Sequence, residues 1–156
     1  MRSADPSTAV GGYTREELRR SYSDAWRKHR ARTPLTPLES MIVEVIERHP
    51  QYQTLIEDPR DALAFEPAAA DPVENPFLHM GLHLAVREQF AIDRPPGIRE
   101  LRHSLEARLG DLHGAEHALM EALAETLWEA QRNGRAPDEA RYLELSRRRL
   151  RAASTR

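Results

Sequence analysis

Apolar residues recur every three to four positions along most of the chain, and no stretch alternates at the two-residue period of a strand. The first such run puts Leu18, Tyr22, Ala25 and His29 on one face of a helix predicted over residues 14–31. Thr14 and Glu17 open it as a capping box, and Pro34 stops it. Thr36, Pro37 and Glu39 repeat the opening signal as N-cap, first-turn proline and carboxylate, ahead of Leu38, Met41, Ile42, Val45 and Ile46. That helix is expected to end at His49–Pro50, with a short helical turn from Tyr52 to Glu57 after it. Residues 58–74, rich in proline and alanine, read as a long connector. Asn75–Pro76 begins a helix over 75–91, the prolines and glycine of 93–97 break it, and Ile98 to Leu109 resume. Asp111 caps a helix over 111–133 that stops at Asn133–Gly134, and Pro137, Asp138 and Glu139 start a last one through Leu150.

The pattern predicts an all-α fold: a single-domain bundle of five to six helices, antiparallel and partly orthogonal, over residues 13–152. Residues 1–12 are small and polar and are expected to form a disordered tail, as are 153–156. Apolar residues at 40% and a length of 156 support one folded domain with a core of its own. Phe77, Met80 and Trp128 fall at core positions of their helices.

Charge removes some classes of function. A formal net charge of −2 supplies no field for nucleic acid or an anionic membrane, and no window is long and apolar enough to span one. The arginine run Arg147, Arg148, Arg149 and Arg151 reads as a solvated helix end whose charge suits the helix dipole. The absence of cysteine rules out disulfides and thiolate metal sites and fits a reducing compartment. Residues 1–12 also lack the apolar core of a secretory signal, so a cytoplasmic location is expected.

The histidines change the picture most. At about 100° per residue, His79 and His83 fall one turn apart among Leu82, Val86 and Phe90, and His113 and His117 repeat the arrangement beside Met120, Leu123 and Leu127. Glu116 projects between the latter pair. His49 follows the inner stripe of its helix, and His29 does so on the first. An unpartnered imidazole in a core costs on the order of 1–3 kcal/mol, so clustered inward histidines need something to use their nitrogens. A divalent ion does so: side chains at i and i+4 can both reach one ion at roughly 2.0–2.1 Å. The expected ligand set is His79, His83, His113 and His117, with Glu116 as ligand or base and His49 as a further donor. Nitrogen and carboxylate donors without sulfur suit zinc or iron.

Two motifs and one family bear on this. His113-Gly-Ala-Glu-His117 spells HxxEH, the pattern of the inverted zincin peptidases, but the residues after it read as helix, whereas that family has a mixed α/β domain with a downstream ligand. The HxxxH and HxxxE spacings resemble haemerythrin-type di-iron bundles in class, without a full ligand series. From Tyr22 onward the chain resembles an uncharacterised bacterial family, common in proteobacteria and catalogued as a domain of unknown function. The blocks that carry the resemblance are AWRKHR (25–30), LTPLE (35–39), NPFLHMGLHLAVREQ (75–89), IDRPPGIR (92–99) and EAQRNGRAPDE (129–139). It implies a helical bacterial protein and no particular reaction.

Function is therefore read from the residues. The first reading is a metal-binding helical bundle with an interior His/Glu site built from the two HxxxH pairs, open to hydrolytic or redox chemistry. The second is a non-catalytic interaction or regulatory module with a protein partner, in which the histidines form a buried polar network. A pH sensor built on clustered histidines is a third.

Overall fold

The structure, a computed structural model, describes residues 8–9, 13–66 and 75–153. The described residues contain eight helices: α1 (Arg15–Arg30), α2 (Pro37–Glu47), α3 (Pro50–Glu57), α4 (Pro59–Ala64), α5 (Pro76–Ile92), α6 (Ile98–Leu109), α7 (Leu112–Arg132) and α8 (Glu139–Ala153). The all-α class holds, and the expected count of five to six helices is too low. The difference lies in α3 and α4, two short helices in the stretch read as one turn and a connector. Asp58 caps α4 by accepting the Arg60 N–H, with Pro59 in the first turn, which is the signal that opens α2 used again on a six-residue helix.

Two further segments form a minimal antiparallel pair, β1 (Thr8–Ala9) with β2 (Tyr13–Thr14), Thr8 opposite Thr14 and Ala9 opposite Tyr13. The remainder of the expected N-terminal tail, residues 67–74 of the expected connector and residues 154–156 lie outside the described residues. No helix among the described residues is long and apolar enough to cross a membrane.

The chain divides into two compact units, residues 1–84 and 85–156. In the first, α1 packs on α2, α3 and α4. Its core joins Tyr22, Ala25 and Trp26 of α1, Ile42, Val45 and Ile46 of α2, Ile56, Ala62, and Phe77, Met80 and Leu84 of α5. The predicted capping box at Thr14/Glu17 is present, and the predicted N-cap at Thr36 forms a capping box with Glu39 as well. Arg19 is buried, lies 4.4 Å from the centre of the Phe77 ring, and donates to the carbonyls of Ala62 (3.1 Å) and Phe65 (2.8 Å). It thereby satisfies carbonyls left free at the end of α4, and burial lowers its pKa because the charged form loses water. Lys28 Nζ lies 2.7 Å from Glu39, joining the end of α1 to the start of α2.

In the second unit α6, α7 and α8 pack against one another pairwise. Ile98, Leu101 and Leu105 of α6, Ala115, Leu119, Ala122 and Leu123 of α7, and Tyr142 and Leu145 of α8 are buried. Asp93, at φ +50°, accepts from the backbone N–H of Arg99 (3.0 Å), and the Arg99 guanidinium donates to the carbonyls of Phe90 and Ala91 (3.0 and 3.1 Å). The IDRPPGIR block is thus a helix corner in which one arginine closes α5 and one aspartate opens α6. Gly97 sits at φ +97° ahead of α6, where a side chain would be strained.

The buried stripe of α7 is turned from the one expected. Thr126 is buried because its hydroxyl donates to the Ala122 carbonyl at 2.8 Å, while Leu127 is exposed and Trp128, expected in the core, is 57% exposed with Arg132 over its ring.

Candidate metal centre

His49 occupies the junction of α2 and α3. Its backbone N–H donates to the Ile46 carbonyl (3.0 Å), its own carbonyl accepts from Tyr52 (2.9 Å), and Pro50 stands in the first turn of α3. The ring Nδ1 lies 2.7 Å from the Val45 carbonyl. A carbonyl only accepts, so Nδ1 carries the proton, and in the neutral ring the lone pair is on Nε2.

His79 and His83 stand one turn apart on α5, whose start is fixed by Asn75 accepting from the N–H groups of Phe77 (3.1 Å) and Leu78 (3.3 Å). His83 is fully buried, as is His49 to within 4%, and His79 is half-buried. The Nε2 atom of His79 lies 3.1 Å from Nε2 of His49 and 3.1 Å from Nε2 of His83. The rings meet edge-on, with centroids 4.8–4.9 Å apart in all three pairings. Each of the three rings offers a nitrogen that lies within 4.8 Å of those of the other two.

Three Nε2 atoms at that spacing are awkward for neutral histidines alone. His79 Nε2 has at most one hydrogen, so it cannot make a linear N–H···N bond to both neighbours at once. One cation shared among three lone pairs removes the conflict. Two nitrogens bound to one ion at about 2.0–2.1 Å stand about 2.9 Å apart at a right angle and about 3.3 Å apart in a tetrahedron. The observed 3.1 Å falls between them.

The second unit holds the other predicted residues. His113 and His117 are both half-buried on α7, with ring centroids 4.2 Å apart. Glu116 is buried and accepts from Arg87 Nε at 2.9 Å. Arg87 escapes a reading by periodicity, because it lies off the apolar stripe of α5 and buries itself through its partner. Tyr52 is equally silent as a site residue: its ring stacks on that of His49, 5.2 Å between centroids and 4° between planes, a contact across a helix start that spacing rules do not address. His29 serves elsewhere, with Nε2 3.0 Å from Glu47 and its ring against Trp26, and His103 is exposed.

No curated protein and no solved structure matches the chain. Residues 14–148 match the family described as a domain of unknown function, DUF1841, and the chain belongs to that family.

Proposed function

We propose that the protein binds one divalent metal ion, zinc or iron, through His49, His79 and His83. The observation that carries the reading is the meeting of three imidazole Nε2 atoms at 3.1 Å spacings about His79. Burial supports it, since His49 and His83 sit where little water competes for their ring nitrogens. In this reading Glu116 keeps its carboxylate for Arg87, and His113 stays outside the ligand set.

The chain's own contribution is orientation. Val45 holds the proton of His49 on Nδ1 and so leaves the lone pair on Nε2, and the helical spacing of His79 and His83 presents two rings from one side. Imidazole donors suit zinc and iron alike, and a bound ion would supply Lewis acidity or, as iron, electron transfer.

Elemental analysis of tag-free protein tests the proposal. About one equivalent of zinc or iron is expected, falling sharply in His49→Ala and His83→Ala. Protein that is metal-free as isolated, and whose melting temperature is unmoved by zinc or ferrous iron, overturns it.

A further inference from the structure

His49 is held more tightly than a metal ligand on a regular helix. Its main chain is fixed on both sides by the Ile46 carbonyl and the Tyr52 N–H, and Pro50 restricts the backbone beyond it. Its Nδ1 is fixed by Val45. One freedom would remain, tilting of the ring about the axis from Nδ1, and the near-parallel face of Tyr52 opposes it. Tyr52 also meets the edge of His79 at 6.2 Å, so a single side chain borders two of the three clustered rings.

We infer that Tyr52 is a positioning residue of the metal centre: its ring, stacked on His49, sets the direction of the His49 Nε2 lone pair and thereby the affinity and geometry of the site. The inference rests on the metal-binding reading above. The aromatic face does the work, because the planes are 4° apart and a stack of that kind acts through the ring.

Cobalt(II) is the probe, since its visible absorption reports coordination geometry separately from affinity. Wild type, Tyr52→Phe and Tyr52→Leu are titrated with cobalt, and the folding of each metal-free protein is checked by circular dichroism. Tyr52→Phe is expected to bind within about twofold of the wild type with the same band. Tyr52→Leu is expected to bind about tenfold more weakly, the low end of the range for lost outer contacts, with a displaced band. Should the leucine variant not fold, Tyr52→Met takes its place under the same criteria. A leucine or methionine variant that binds like the wild type, with an unchanged band, overturns the inference while leaving the metal centre standing. A phenylalanine variant as weak as leucine overturns it too, by assigning the effect to the hydroxyl. Wild-type protein that takes up no cobalt sinks this inference and the metal reading together.

Discussion

Arg87 donates its Nε–H to the carboxylate of Glu116 at 2.9 Å, with both side chains largely withdrawn from water. A pair in that setting is sensitive to the loss of one member, because the charge left behind is already desolvated.

Arg87→Met is therefore expected to destabilise the protein by about 2–4 kcal/mol, the low end reflecting the solvent contact that Arg87 retains. Arg87→Met combined with Glu116→Leu should cost clearly less than the two single changes added together. Urea melts of the three variants measure this, and simple additivity would show that the two charges do not act as a unit.

Metal binding should appear as stability. Free zinc at about a hundred times its dissociation constant stabilises a protein that binds it only when folded by about 2.7 kcal/mol. His83→Ala should lose that increment, and since the buried ring also leaves a cavity, the comparison is between melts of one variant with and without zinc. An undiminished increment in His83→Ala would remove His83 from the ligand set.

Acid should weaken the second unit in a definite window. Arg141 hydrogen bonds hold the carboxyls of Glu129 and Glu144 below their usual range, and the backbone N–H of Arg99 does the same for Asp93. A carboxyl whose folded pKa lies below its unfolded one contributes fully above the unfolded value, near 4, and loses that contribution as the pH falls through the folded value. The urea midpoint is expected to hold from pH 7 to about 5 and to fall below about 4. Glu129→Gln should start lower and fall less, and an unchanged pH profile in that variant would deny the carboxyl its part.

Helix caps offer a smaller and cleaner test. Thr36 accepts the Glu39 N–H at 3.2 Å, while Glu39 accepts the Thr36 N–H at 3.1 Å. Thr36→Ala should cost about 1 kcal/mol, and Thr36→Ser should keep most of the stability. Equal melts for the alanine and serine variants would contradict a working cap.

The long helices are legible because their ends are written in local chemistry. Thr14, Thr36, Asp111 and Gly110 act on backbone groups within three or four residues, so their meaning survives without knowledge of the fold. Trp128 shows the limit: its helix is right and its side is wrong, because the hydroxyl of Thr126 satisfies itself on the backbone and lets a polar residue take an inner position. The site follows the same division. The pairing of His79 with His83 follows from helical spacing, whereas the approach of His49, thirty residues earlier by number, depends on tertiary packing that no periodicity encodes. Tyr52 and Arg87 are hidden for the same reason, since each is defined by what it touches.

Lys28, bound to Glu39 at 2.7 Å, is the chain's one lysine. An acylating dye that attacks side-chain amines consequently has a single internal target, and that target must let go of its carboxylate before its nitrogen can react. The rate at which such a dye goes on would report how readily the Lys28 side chain leaves Glu39, at one position and with no substitution introduced.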